Sequence, residues 1–130
     1  MNRAILGVGA SIRPHEHIAR ARSMLARDHH LVTESSYVTT KALNRPGDPD
    51  FVNGAMLIET ERSFDKLRDY LKSVERRLGR VKTADPFGPR TIDLDIVVWN
   101  GEVVNSDYHE RDFVRNAVRE VAPWIHVQGE

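Results

Sequence analysis

Ala4 to Gly9 is a short apolar run closing on Gly7 and Gly9, which predicts a buried strand entering a tight loop. Pro14 suits the first turn of a helix, and Ile18, Ala21 and Leu25 follow at helical spacing. Glu16 and Arg20 are spaced for an i,i+4 ion pair on that helix. Asp28-His29-His30 interrupts the period. Leu31 to Thr40 is rich in Val, Thr and Tyr and predicts a strand. Asn44, Pro46, Gly47, Asp48 and Pro49 make Lys41 to Asp50 a loop, and Phe51 to Thr60 predicts a second long strand, hairpin-paired with the first. Gly54 within it signals a bulge or a close backbone approach.

Ser63 is placed to cap a helix in which Leu67, Tyr70, Leu71, Val74 and Leu78 share one face, and Gly79 is a natural stop. A polar loop with Pro86, Gly88 and Pro89 leads into a predicted strand, Ile92 to Trp99. Asn100-Gly101 is a strong hairpin-turn signal, followed by Glu102 to Val104. A last helix is predicted from Phe113 to Val121, before Pro123. The element order is β-α-β-β-α-β with a hairpin and a helix appended. It predicts an α+β fold, a ferredoxin-like βαββαβ sandwich with an antiparallel-rich sheet and two helices on one face. No repeat, low-complexity tract or linker divides the 130 residues, so a single domain over residues 1–130 is expected.

Composition narrows the chemistry. Lys plus Arg and Asp plus Glu both number 19, so attraction for a polyanion must come from local clustering. The chain has no cysteine, which removes disulfides, thiolate metal sites and a cysteine nucleophile. That fits a cytoplasmic location, as does an N-terminus without a signal-peptide layout. No apolar run is long enough to span a membrane. His15, His17, His29, His30 and His126 have no metal-ligand spacing and are expected at the surface.

Asp93 and Asp95 stand two apart in a predicted strand, which projects both carboxylates to one face while Ile92, Leu94 and Ile96 turn into the core. Such a pair suits Mg²⁺, a hard cation that takes a few carboxylates plus phosphate oxygens. Upstream lie Arg76, Arg77, Arg80, Lys82 and Arg90, cations able to grip phosphates. An Asp-Leu-Asp on a half-exposed strand is, in most proteins, only a solvated face. Arg76 and Arg77 are read as solvated helix surface, outside the site. Gly88-Pro89-Arg90-Thr91, directly before the strand, weighs towards a site because it makes a rigid turn that delivers Arg90 beside the carboxylates.

Gly79 to Val97, GRVKTADPFGPRTIDLDIV, resembles the signature region of the 6-hydroxymethyl-7,8-dihydropterin pyrophosphokinase family. The resemblance extends through VGASI (Val8 to Ile12), SSYVTT (Ser35 to Thr40), DPDFVNGAMLIET (Asp48 to Thr60) and FVRNAVREVAP (Phe113 to Pro123). It implies transfer of a pyrophosphoryl group from ATP to a pterin hydroxymethyl oxygen, releasing AMP. Asp93 and Asp95 would then hold two Mg²⁺ ions against the triphosphate. Arg80, Arg90 and Arg111 would contact ATP phosphates, with Glu75, Lys82 and Ile96 completing the ATP set. Arg80, Arg90 and His109 would be the catalytic groups. For the pterin, Asn53 would read the amide edge of the ring, and Thr40 and Leu43 would add loop contacts. Phe51 and Phe113 would sandwich or flank the ring, or else simply pack in the core.

The chain also departs from the family's pattern. Lys41-Ala42 stands where prolines are usual, placing a charge beside the expected pterin pocket, and Ala10-Ser11 stands where Ser-Asn is usual. Only Ser106 to Glu110 separates the hairpin from Arg111, so the resemblance implies a short form with a truncated closing loop and C-terminus, with Tyr108-His109 in place of a proline-bearing element. The expected partners are ATP and a pterin, with no nucleic acid and no membrane. The alternative is a non-catalytic or altered-substrate pterin- or nucleotide-binding relative. An RNA-binding sheet would need exposed aromatics on adjacent central strands, and these are missing.

Overall fold

In the computed structural model, β1 (Asn2–Ala10) is the centre of the molecule and is longer than the apolar run alone predicts. The structure describes residues 1–41, 47, 49–79 and 91–125. The other strands are β2 (His30–Glu34), β3 (Val38–Thr40), β4 (Phe51–Thr60), β5 (Asp93–Trp99) and β6 (Glu102–Val103). They form one antiparallel sheet in the order β2-β4-β1-β5-β6, with β3 also on β4. The helices are α1 (Pro14–Asp28), α2 (Phe64–Arg77), α3 (Asp107–Glu110) and α4 (Asp112–Val121). The protein is therefore a mixed helix-and-sheet fold of the α+β kind. Among the described residues no helix is long and apolar enough to cross a membrane.

Period-2 burial on β1 sorts the two faces. Ala4, Leu6, Val8 and Ala10 face α1 and α2, joined there by Met56 and Ile58 of β4 and by Leu94 and Ile96 of β5. Helix α1 buries Ile18, Ala21 and Leu25, and α2 buries Leu67, Leu71 and Val74. Ser63 caps α2 as expected, its hydroxyl accepting from the Lys66 N–H at 3.3 Å, and Gly79 ends it in the left-handed region at φ 89°. On the opposite face, Ile5, Leu57, Val97 and Val98 pack under Ala117, Val118 and Val121 of α4. The Asn100-Gly101 turn has both residues at positive φ, 48° and 85°, as a two-residue hairpin whose twist matches its strands requires.

Several expectations need correction. The predicted strand Leu31 to Thr40 is two strands, because side chains replace the ladder at its middle. The Ser35 hydroxyl accepts from the Ala55 N–H at 2.8 Å, and Glu120 of α4 accepts from the N–H and hydroxyl of Ser36 at 2.9 and 3.0 Å. Glu16 pairs at 3.7 Å with Arg13 rather than with Arg20. His17 is buried, its Nδ1 2.6 Å from the Ile12 carbonyl, so that nitrogen bears the donated proton. His29 is half-buried at the end of α1, accepting from Arg62 Nε at 3.1 Å, and burial followed by the Arg62 charge pushes its pKa down. The predicted His126 lies outside the described residues.

Gly54 marks a close approach without a bulge, since it stays in continuous register with Val8. A Cβ there would stand 2.5 Å from the Tyr37 ring and 3.0 Å from Ser35 Oγ. Gly54→Ala should therefore destabilise the protein by about 1–3 kcal/mol through overpacking, read as a lower urea midpoint at unchanged m-value. A midpoint equal to wild type would mean the Tyr37 ring yields freely.

Candidate active site

The functional face is built by what β1 lacks. In the sheet register Asn53 of β4 stands opposite Gly9 of β1, and Gly9 stands opposite Asp93 of β5. Two residues along, Ala55, Gly7 and Asp95 make the equivalent rung. Gly7 and Gly9 hold the positions on the face away from α1 and α2 and contribute no side chain there. A backbone-floored trough one strand wide thus runs between Asn53 on one wall and Asp93 and Asp95 on the other. At about 4.8 Å between neighbouring strands, the walls are about 10 Å apart. A Cβ on Gly9 would lie 2.9 Å from Asn53 Oδ1, and one on Gly7 would lie 3.2 Å from Val97 Cγ2. The trough exists only while both positions are glycine.

It opens into a cavity of about 200 Å³ whose lining includes Thr40, Phe51, Asn53, Asp93, Asp95, Arg111 and Phe113. Seven residues singled out from the sequence are thereby brought to one place, from β3, β4, β5 and the α3–α4 corner. Asn53 Nδ2 donates to Thr40 Oγ1 at 2.7 Å, which ties β3 to β4 at the rim and orients the amide. Phe51 and Phe113 are half-buried, and neither belongs to a buried core cluster. Arg111 Nε donates to Asp107 Oδ1 at 3.3 Å, a pairing that holds the guanidinium at the cavity wall. Lys41 lines the cavity too, adding a second cation.

Three residues expected at the site, Glu75 and Ile96 of the ATP set and the catalytic candidate His109, do not line this cavity. Ile96 packs into the core between sheet and helices. Glu75 is buried on α2, where its Oε2 accepts from the Leu94 N–H at 2.8 Å. Without that acceptor a buried amide would be left unpaired, at a cost of about 1–3 kcal/mol. His109, on α3, does not line the cavity and stands edge-on to the Tyr108 ring at 5.1 Å. The segment between the hairpin and Arg111 is also not an extended loop. It forms the helical turn α3, pinned by Tyr108, which is 1% exposed in the core under α4. Leu43, Arg80, Lys82 and Arg90 lie outside the described residues.

Sequence reasoning passed over Gly7, Gly9 and Asp107 as site residues. Glycines inside a strand are a usable signal for close approach. Asp107 left none, since its place depends on the α3 turn.

Asp95 is exposed and Asp93 half-buried on the same wall of the trough. Among the described residues no group of three or more His, Asp or Glu side chains is placed to hold a metal ion. A cation held by this pair must take its other ligands from water or from a substrate's oxygens, which is the usual habit of Mg²⁺. The arrangement fits that ion: two hard anionic ligands on a rigid strand, with Arg111 at the same cavity to meet a polyanion.

Residues 5–123 match the family model described as 7,8-dihydro-6-hydroxymethylpterin-pyrophosphokinase. The 2-amino-4-hydroxy-6-hydroxymethyldihydropteridine pyrophosphokinase of Haemophilus influenzae is 40% identical over 72% of this chain, and the match spans 62% of that protein's length. The protein of the same name from Methylorubrum extorquens is 31% identical over 100% of this chain and 89% of its own length. A folic acid synthesis protein, fol1, of Schizosaccharomyces pombe is 33% identical over 92% of this chain, which spans 18% of that longer protein.

Proposed function

Since the chain belongs to the 7,8-dihydro-6-hydroxymethylpterin-pyrophosphokinase family, we propose that it transfers a pyrophosphoryl group from ATP to the hydroxymethyl oxygen of 6-hydroxymethyl-7,8-dihydropterin, releasing AMP. The observation that carries this reading is the trough, in which an amide for a polar ring edge and two carboxylates for a metal–phosphate complex oppose each other across Gly7 and Gly9. Asn53, oriented by Thr40, reads the amide edge of the pterin. Phe51 and Phe113 cover the flat faces of the ring. Asp93 and Asp95 would hold Mg²⁺, which would supply charge neutralisation on the phosphate oxygens. Arg111, turned by Asp107, meets the triphosphate from the cavity wall.

The chemistry is a direct in-line displacement. The hydroxymethyl oxygen forms a bond to the β-phosphorus, the bond from that phosphorus to the α,β-bridging oxygen breaks, and AMP leaves with that oxygen. The hydroxyl proton passes to solvent. In this reading the residues act by positioning the reactants, without a covalent intermediate, with which the absence of cysteine agrees. We read the β2-β4-β1-β5 order, with α1 and α2 on one face, as a ferredoxin-like βαββαβ sandwich forming one domain. Arg80, Lys82 and Arg90 complete the phosphate contacts in this proposal.

One observation favours the non-catalytic alternative: the segment before Arg111 is a short helical turn anchored by buried Tyr108, rather than a long closing loop. Measuring AMP release from ATP decides between the two. AMP should form only with the pterin and free Mg²⁺ both present, and EDTA should stop it. Tight binding of both ligands with no AMP would replace the enzyme by a binding relative.

A further inference from the structure

We propose that Glu75 is a positioning residue for the Asp93–Asp95 pair, acting through the Leu94 peptide rather than by touching nucleotide. This rests on the metal–nucleotide reading of the trough given above. On its inner edge β5 is laddered to β1, with Gly9, Val8 and Gly7 opposite Asp93, Leu94 and Asp95. On its outer edge, β6 pairs only with Val98 and Trp99, so Asp93 to Ile96 has no strand partner among the described residues. A register irregularity opposite Ile5 and Leu6 separates that half-laddered segment from the rest of the strand.

Glu75 bonds to that outer edge between the two aspartates. Its carboxylate is 6% exposed and accepts from the Leu94 N–H at 2.8 Å. Leu94 lies between the two aspartates, so fixing its peptide fixes the direction in which both side chains leave the strand. The anchor itself is firm, because Leu71 and Val74 of the same helix are buried in the core. Burying a carboxylate is costly unless it is hydrogen-bonded, and the Leu94 amide is a partner that links Glu75 directly to the segment carrying both aspartates. Mg²⁺ demands near-ideal octahedral geometry, and a site loosened by a fraction of an ångström loses its hold. Helix α2 is thereby made part of the site although it lies on the far face of the sheet.

Two substitutions separate reach from charge. Glu75→Gln keeps a carbonyl acceptor at the same distance and removes the charge. Glu75→Asp keeps the charge and falls one methylene short of Leu94. The probe is Mn²⁺ titrated, by its electron paramagnetic resonance signal, into protein with the non-cleavable α,β-methylene analogue of ATP. Pterin affinity without nucleotide and thermal stability are measured alongside. Glu75→Asp should weaken Mn²⁺ binding about tenfold or more and quicken hydrogen exchange at the Leu94 amide. Glu75→Gln should stay within about threefold of wild type, and pterin affinity should hold in both. The reverse order, Gln impaired and Asp normal, would assign Glu75 a charge role and overturn the proposal. Equal metal affinity in all three proteins would also overturn it while leaving the function standing. A wild type that binds no Mn²⁺ with the analogue would remove the metal–nucleotide reading, and the positioning role with it.

Discussion

Asp95→Ala should lower AMP formation by at least ~1,000-fold, about 4 kcal/mol of lost transition-state stabilisation, while folding stability stays within about 0.5 kcal/mol of wild type. The two halves of that expectation have separate causes. Asp95 is exposed on the trough face, opposite a glycine, so its removal opens no cavity in the core. The catalytic loss is large because a hard cation cannot exchange a carboxylate for a methyl group. Asp107 at the same cavity is paired with Arg111, and among the described residues no group of three or more His, Asp or Glu is placed to hold a metal ion. Asp95→Asn should be nearly as inactive, since it keeps the shape and loses the charge. Calorimetric titration of Mg²⁺-ATP into each variant, beside urea unfolding, checks both halves. Unchanged Mg²⁺-ATP affinity in Asp95→Ala would remove the metal site, whatever happens to turnover.

What could be read in advance depended on how local each signal was. The alternation of Ile92, Leu94 and Ile96 with Asp93 and Asp95 needs only the period of a strand, and Leu94 and Ile96 lie in the core as that period requires. The Asn100-Gly101 turn and the Ser63 cap are equally self-contained. The break between β2 and β3 was not legible because Glu120, 84 residues after Ser36, makes the hydrogen bonds that hold it. Helix α3 is too short for a periodic signal and exists through the burial of Tyr108. The trough needed the register of three strands at once, and neither Gly7 nor Gly9 reveals alone which side chains it will stand between. The bond from Leu94 to Glu75 was not legible for a related reason: a motif position says which residues are near a site, not which backbone group each one holds.

Asn53→Ala should weaken pterin binding about 5- to 150-fold, the equivalent of about 1–3 kcal/mol for a polar ring edge left without its partner. Nucleotide affinity should change less than about threefold, because the carboxylate wall lies across the trough on β5. The competing explanation is structural. Asn53 Nδ2 donates to Thr40 Oγ1 at 2.7 Å, so its loss also unties β3 from β4 at the rim of the cavity. Thr40→Val separates the two, since it breaks the same tie in a residue type suited to a strand and leaves the Asn53 amide in place. If Asn53 reads the ring directly, Thr40→Val should cost less than about fivefold in pterin affinity, the price of a less well oriented amide. If Asn53 serves only to brace β3, Thr40→Val should match Asn53→Ala in full. Equal losses for pterin and nucleotide in Asn53→Ala would make the same point, and the recognition of the ring would then have to be sought at Phe51, Phe113 and Lys41.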